Sequence, residues 1–415
     1  MEKWVNLNFN PKPPTIMHID INSCFATIEQ QANPHLRGKS IAVAAYTGPS
    51  GCIVAPSIEA KQKGIRVGMR VKDGKLIDQN LVILPPDPPK YRDVHLKTRT
   101  LLETYSGKVI PKSIDEFVMD LEGFPAFKKG MFEVGKEIKF KIRKIIGEWI
   151  SVSIGIAPNR FLAKTASDLK KPNGLEKIDK SSYLDVYKNL DLMDLSGIKR
   201  ANSARLGNAG IFSVLDFFRA SGQDLRAAFG SVFGYYWYLR LRGWEIDDVT
   251  FGRKSFGNSF ALPKPFYKLE DLAPILSKLV EKTGRRLRKS GYRARGMHVA
   301  VKYRDGTHWH LGRLVGRELF DSKDLYKEAF KILSLSPYKK PVSILAESCY
   351  GLVNSAMCQL DLLEDLAKKE RLVNALDKIN DKWGDFVITP ARMVGATEYV
   401  PDRIAFGGIK ELVKN

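Results

Sequence analysis

Apolar residues recur at two different periods along this chain, and the places where the period changes mark out its parts. "TIMHIDINSCF" reads as a short strand ending at Asp20, and "SIAVAAY" and "GCIVAP" read as two more. "SIEAKQKG" reads as a short helix stopped by Gly64. "LPPDPPKYRDVHLKTRTLLETY" is a proline turn feeding a helix from about Tyr91 to Tyr105, with Val94, Thr98, Leu101, Leu102 and Tyr105 on its apolar face. "FVMDL" and "ISVSIGI" are strands on either side of a basic amphipathic helix over about Phe132 to Ile146. This alternation, continued to about residue 175, predicts an α/β or α+β unit around one sheet.

From about 178 to 245 the spacing becomes helical and the segments short, which predicts a small helical domain. Within it, "LSGIKRANSARLGNAGI" has the shape of a helix-hairpin-helix whose turn, around Gly197 and Lys199, offers backbone N–H groups to a DNA phosphate. A plain tight turn between helices is the alternative. A linker near Trp244 to Lys254 leads to a third pattern: strand (Ser255 to Ala261), helix (Leu269 to Lys289), strand (Gly296 to Tyr303), strand (His308 to Val315), helix (Lys323 to Leu333) and strand (Pro341 to Val353). That order is βαββαβ. After residue 355 a mostly helical stretch gives way to a tail punctuated by Gly and Pro, and there is no internal repeat.

Charge adds a partner to this outline. Lys and Arg number 67 against 46 Asp and Glu, a net charge of +21 in 415 residues, which favours a polyanion. Of that, +12 lies between Phe251 and Arg317, where 16 Lys and Arg stand against 4 acids. A solvated basic face is the plain reading of such a run. Here the basic residues recur with aromatics in "RRLRKSGYRARGMHVAVKYRDGTHWH", which makes Arg285, Arg286, Arg288, Arg293 and Arg295 candidates for tracking DNA phosphates. The length suggests two to four domains. No apolar run reaches the roughly 20 residues of a membrane span, and the N-terminus has no signal-peptide core, so a cytoplasmic protein is expected. The cysteines, Cys24, Cys52, Cys349 and Cys358, form no C-x-x-C pair and read as reduced thiols.

Asp20 ends one apolar strand, and Asp115 with Glu116 opens another. Adjacent carboxylates repel one another and resist burial, so their place beside core strands asks for a cation. If the two strands are neighbours, three carboxylates converge on one sheet edge, a set of hard oxygen ligands that suits Mg2+. A solvated acid, or a turn with a satisfied salt bridge, is the plainer reading of each taken alone. A second stretch supports the metal: in "SVSIGIAPNRFLAKTASDLKKPNG" a strand runs into Pro158, and Asn159 caps a helix with Phe161, Leu162, Thr165, Ala166 and Leu169 inside. "KKPNG" then breaks the helix where a lysine can reach out to an anion.

"IDINSCFATIE", "SIDEFVMDL", "SIGIAPNRFLAKTASDLKKPNG", "LSGIKRANSARL" and the basic βαββαβ segment stand in an order that resembles the Y-family (translesion) DNA polymerases, most of all their bacterial DNA polymerase IV and UmuC-type branch. The resemblance covers about residues 16 to 355 and implies an α+β, multidomain right-hand polymerase. Its parts would be a ferredoxin-like palm (1–24 and 86–177), small fingers (25–85), a helical thumb with the helix-hairpin-helix (178–245), a linker (246–253), a βαββαβ little finger (254–355) and a C-terminal tail (356–415). It implies that Asp20, Asp115 and Glu116, with the backbone carbonyl of Ile21, hold two Mg2+ ions, Mn2+ being admissible. Phe25 matches the steric gate against a 2′-hydroxyl, and Lys171 and Lys61 match lysines that meet the triphosphate. Ile58 stands where many relatives carry a tyrosine that bonds the triphosphate, leaving Ser57 and Thr47 as nearby hydroxyls to take its place. Ser113 is given a structural role.

The implied activity is template-directed, error-prone synthesis past lesions on primer-template DNA with dNTPs, by a monomer without a proofreading domain. "QLDLL" (Gln359, Leu360, Leu362, Leu363) resembles the peptide by which bacterial polymerases dock on the β sliding clamp, with Leu363 where many relatives use phenylalanine. Two other readings stay open at this level. A catalytically silent relative would be a DNA-binding and clamp-binding scaffold, and would usually have lost the acids that this chain keeps. A different two-metal enzyme, a nuclease or a nucleotidyl cyclase, would share the acids but not the basic third domain and helical hairpin.

Overall fold

The computed structural model describes residues 7–249, 252–337, 339–355, 366–396 and 398–401, which fall into two compact units that part between Val249 and Thr250. The peptide "QLDLL", with Gln359, Leu360, Leu362 and Leu363, lies outside the described residues.

In chain order the first unit contains β1 (Ile16–Ile21), α1 (Cys24–Ala32), β2 (Ile41–Ala44), β3 (Ile53–Pro56), α2 (Ile58–Gln62), α3 (Val71–Ile77), β4 (Val82–Leu84), α4 (Pro88–Glu103), β5 (Val109–Pro111), β6 (Glu116–Asp120), α5 (Met131–Lys141), β7 (Val152–Ala157), α6 (Arg160–Leu169) and β8 (Leu175–Lys177). Five short helices follow: α7 (Tyr183–Lys188), α8 (Arg200–Asn208), α9 (Val214–Arg219), α10 (Gly222–Phe229) and α11 (Phe233–Leu241). The main sheet has the order β5-β6-β1-β7-β8, with β1 antiparallel to both of its neighbours. Because β1 and β7 are covered on both faces, all six residues of each are buried. Met17, Ile19, Ile21, Phe117, Met119, Val152, Ile154 and Ile156 join one core with Phe25, Tyr91, Leu102 and Ile138, which come from α1, α4 and α5. Ile16, Val118 and Ala157 join a second core with Phe161 and Leu162 of α6 and with Leu206, Phe217 and Trp237 of the later helices.

The expectation of one sheet in this part needs correcting. β3, β2 and β4 make a separate three-stranded sheet. Ala42, Ala44, Ile53, Ala60, Ile65, Val71 and Leu81 give it a small core of its own, too small to be told from the main one by apolar spacing. The turn expected as a helix-hairpin-helix is also abbreviated. A single turn of 3-10 helix, Leu192–Asp194, stands where the first helix was expected, and Gly197 follows with φ 94°, a conformation that favours glycine. α8 then starts without a side-chain cap, which leaves its first N–H groups open.

The second unit has β9 (Ser255–Phe266), α12 (Leu269–Lys289), β10 (Tyr292–Tyr303), β11 (His308–Leu319), α13 (Ser322–Leu333) and β12 (Val342–Asn354), followed by α14 (Leu366–Trp383). Its antiparallel sheet runs β11-β10-β12-β9. The βαββαβ order therefore matches the sequence reading, with β9, β10 and β11 several residues longer at one end and β12 displaced by one residue. Among the described residues no helix is long and apolar enough to cross a membrane.

Candidate active site

Pairing of β1 with β6 sets Asp20 directly opposite Glu116. Alternation along the strands then puts His18, Asp20, Glu116, Ser153 and Gly155 on the face that α6 covers. α6 comes very close there: a Cβ at Gly155 would lie 2.0 Å from the carbonyl oxygen of Ala163 and 2.2 Å from the nitrogen of Ser167, so only glycine admits the helix. Asn159 fixes the start of α6 by accepting from Leu162 N–H at 2.8 Å, while its amide donates to the carbonyls of Arg240 and Trp244. The polar strip of α6 is thereby held over the carboxylates.

Lys164 lies on that strip. Its Nζ donates to Asp20 Oδ2 at 3.0 Å and to Glu116 Oε1 at 2.5 Å. Lys171, just past the end of α6, donates to the same Asp20 oxygen at 2.7 Å and pairs with Asp168 at 2.7 Å. Burial favours the neutral carboxyl of Asp20, yet Lys171 and then Lys164 outweigh it and hold its pKa below the usual value. Burial likewise opposes the charge on Lys164, but Asp20 and Glu116 raise its pKa well above normal. Asp115 differs: burial, reinforced by the charge on Asp20, pushes it up, and its Oδ1 accepts from Ser113 Oγ at 2.5 Å. The structural role expected of Ser113 is this hydrogen bond.

His18 lies deepest. Its Nε2 is 3.8 Å from Glu116 Oε2, but burial and then Lys164 pull its pKa to about 3, so the ring is neutral and the contact is not an ion pair. Neither ring nitrogen has a hydrogen-bond partner among the described residues. Ligand atoms of His18, Asp20 and Glu116 all lie within 4.8 Å of one another, a spacing that a metal ion could bridge.

The remaining predicted residues are distributed around this cluster. Ile21 N–H donates to the carbonyl of Asp115 at 2.9 Å, which ties the two acid-bearing segments together through backbone. Asn22 joins three elements: its amide donates to Ser153 Oγ at 2.9 Å, and its Oδ1 accepts from Ser151 Oγ and from Asn173 N–H, the latter in the loop that carries Lys171. Phe25 is 2% exposed and stacks on Tyr91 with 4.3 Å between ring centroids. Lys61, on α2, is depressed by burial and then by repulsion from Lys171, while Asp20 and Asp115 pull it the other way, so it belongs to the same field. Ser57 cannot stand in for the missing tyrosine. It is fully buried, and its hydroxyl accepts from Ala60 N–H and bonds the backbone of Lys39 and Ile41.

Sequence reasoning missed Lys164, Asn22 and His18. Lys164 occupies a polar position of an amphipathic helix and reads as solvated; its position three residues after Phe161, on a helix following a buried strand, was the available signal.

In the second unit the structure pairs several guanidinium groups of the basic run with acids. Arg285 pairs with Asp381 at 2.7 Å and with Asp385, and Arg288 grips both oxygens of Asp377 at 2.7 and 2.8 Å. Arg293, 8% exposed, is held by Glu370 and Glu318. Acids in and just after α14, together with Glu318, therefore neutralise these guanidinium groups. Arg286 donates to the carbonyl of Gly257, and Arg295, largely exposed, pairs with Glu318 at 2.8 Å. The sheet face opposite α12 and α13 carries His298 and Lys302 of β10 with His308 and His310 of β11; Arg313 is exposed on the edge strand β11. In the first unit Gly197 and Lys199 stand at the open start of α8, where Asn202 donates to the Gly197 carbonyl at 3.0 Å.

Comparison with known proteins gives concordant results for both units. Residues 19–168 match the impB/mucB/samB family and residues 253–362 match the impB/mucB/samB family C-terminal domain. The chain is 31% identical over 387 residues to DNA polymerase IV 1 of Bacillus subtilis (strain 168), covering 91% of this chain and 92% of that one. It is 28% identical over 382 residues to DNA polymerase IV of Pelotomaculum thermopropionicum, covering 91% and 94%. Among solved structures it resembles the "Y-family DNA polymerase chimera Dbh-Dpo4(243-245)-Dbh", with a TM-score of 0.71 and 25% identity over 82% of this chain and 99% of that one.

Proposed function

Because the chain belongs to the impB/mucB/samB family and is a DNA-directed DNA polymerase of the Y-family, we propose that Asp20, Asp115 and Glu116 are its catalytic acids, in error-prone synthesis past damaged template bases during DNA repair. The observation that carries the proposal is the facing pair Asp20 and Glu116, with Asp115 beside it and two ammonium groups, Lys164 and Lys171, aimed into the cluster. The residues fit divalent metal: the donors are carboxylate oxygens, hard ligands suited to Mg2+ or Mn2+, and the cluster already draws cations.

Asp20, Asp115, Glu116 and the Ile21 carbonyl would hold the metal. Two ions bound there would lower the pKa of the primer 3′-hydroxyl and offset charge on the attacking and leaving oxygens. Lys164 balances Asp20 and Glu116 until that exchange, which keeps three crowded carboxylates from repelling one another. Lys171 turns from Asp20 to the triphosphate of an incoming dNTP, with Lys61 beside it. Phe25, wedged against Tyr91, bounds the sugar pocket and rejects a 2′-hydroxyl. Asn22 positions the end of β1 against the Lys171 loop.

Residues 1–24 and 86–177 are then the palm, 25–85 the fingers, 178–245 the thumb, 246–253 the linker and 254–355 the little finger. DNA phosphates meet the open start of α8 near Gly197 and Lys199, and the exposed Arg295 and Lys302 of β10. Gln359, Leu360, Leu362 and Leu363 are proposed to dock on a β sliding clamp. The test is extension of a labelled primer on undamaged and abasic templates with Mg2+ and dNTPs. Glu116→Gln should lose at least about a thousandfold in rate with duplex affinity unchanged within about twofold, because these carboxylates serve the chemistry and not the grip on DNA. Undiminished extension by the variant would remove the acids from the mechanism.

A further inference from the structure

Three of the six histidines in the chain, His298, His308 and His310, lie on one face of the second unit's sheet. His310 is opposite Ala300, His308 opposite Lys302, and His298 opposite Gly312, so His298 and His310 are diagonal neighbours on adjacent strands. His298 Nε2 and His310 Nδ1 are 3.2 Å apart. His308 is two residues along β11 from His310, their rings nearly parallel at 9° with centroids 6.3 Å apart. Together with Ala300, Ile344 and Ala346 they line a shallow hollow.

We propose that His298 and His310, with His308 swinging in as a third ligand, bind a borderline transition-metal ion of the Zn2+, Ni2+ or Cu2+ class. This site is separate from the carboxylate cluster and selects a different ion, since imidazole nitrogen suits Zn2+, Ni2+ and Cu2+ and carboxylate oxygen suits Mg2+. The geometry supports it. With Zn–N bonds of about 2.05 Å, nitrogens 3.2 Å apart subtend about 103° at the metal, close to the tetrahedral angle. On binding, the proton between the rings moves to the far nitrogen of the ring that carries it, so that both facing nitrogens turn lone pairs to the ion. Gly312 makes the arrangement possible: a Cβ there would meet His298 Cδ2 and Tyr350 Oη, each at 3.3 Å. His308 is exposed, so its ring can rotate toward the pair at little cost. Lys302, opposite His308, is a charge on this face that opposes a cation. Once bound, the ion clips edge strand β11 to β10.

The test uses the full chain without a histidine tag, in millimolar Mg2+ so that the carboxylate site is not the one titrated. Zn2+ is added against a chelator of known affinity, and Cu2+ is followed by electron paramagnetic resonance. The expected result is one Zn2+ per chain, Cu2+ spectra split by two or more imidazole nitrogens, and a rise in unfolding temperature on binding. His298→Ala and His310→Ala should each weaken binding at least about tenfold and His308→Ala by less, while His35→Ala changes nothing. Gly312→Ala, which removes no ligand, should also weaken it by displacing His298. Binding that is equal in His298→Ala, His310→Ala and the parent, or absent at about 100 μM Zn2+, would overturn the proposal.

Discussion

Replacing Lys164 by methionine tests the logic of the acid cluster more directly than removing an acid. Methionine keeps most of the volume and deletes the ammonium shared by Asp20 and Glu116. Breaking one side of a buried ion pair costs about 3–5 kcal/mol. Lys171 remains on Asp20, and the Glu116 side chain is 24% exposed, so solvent and the second lysine reduce the cost to about 2 kcal/mol. In a unit of this size that lowers the unfolding temperature by about 4–8 °C in EDTA. Mg2+ cancels the difference. In the parent protein the ion must displace Lys164, and in the variant it need not, so the same 2 kcal/mol returns as Mg2+ binding about 30-fold tighter. The measurement is unfolding temperature against Mg2+ concentration at pH 7. Asp20 has its pKa depressed, so its ion-pair contribution is complete above the ordinary carboxylate value and fades only as pH falls through the lowered one. Lys164→Arg, which keeps the charge, should behave like the parent in EDTA. An equal temperature loss with and without saturating Mg2+, at an unchanged Mg2+ midpoint, would show that Lys164 only packs.

Two further expectations concern the second unit. Glu347 is buried with its Oε1 bonded to Thr283 and its Oε2 unpartnered, and burial pushes its carboxyl up to about 7. Its folded pKa is raised, so stability is complete below about pH 4.5 and is lost as pH rises to about 7, by about 3 kcal/mol in all; Glu347→Gln should flatten that slope in denaturant titrations across the range. Arg288→Ala should destabilise the same unit by about 3 kcal/mol through Asp377 while leaving duplex affinity within about twofold. Lys302→Ala should instead weaken duplex binding and reduce the slope of log affinity against log salt by about one, and the opposite pattern would return DNA contact to the arginine cluster.

The sequence disclosed elements and motifs more fully than it disclosed contacts. Both sheet-bearing units, the βαββαβ order, the acids on paired strands and the break carrying Lys171 follow from periodicity and punctuation, which are local signals. The three-stranded sheet of β2, β3 and β4 was not separable, because a core as small as Ala42, Ala44, Ile53 and Leu81 leaves no pattern distinct from its neighbour's. The two larger gaps, the acids that pair the arginines and the role of Lys164, share one cause. Counting charge in a window treats each basic residue as facing solvent, but Arg285, Arg288 and Arg293 are neutralised mainly by acids roughly 80 to 100 residues further on. Lys164 is the same case inside a helix: a polar residue on the strip of α6 that faces the sheet, brought close because Gly155 lets the helix down. Where a sheet is covered on both faces, a lysine on the sheet-facing side of a covering helix is evidence that a carboxylate lies beneath it, since a buried ammonium survives only when paired, whereas one on the far side, as Lys136 of α5 is, stays exposed. Applied to this chain, that rule finds Lys164 from Asp20 and Glu116, and it explains why the acid pair can sit against the core before any metal is bound.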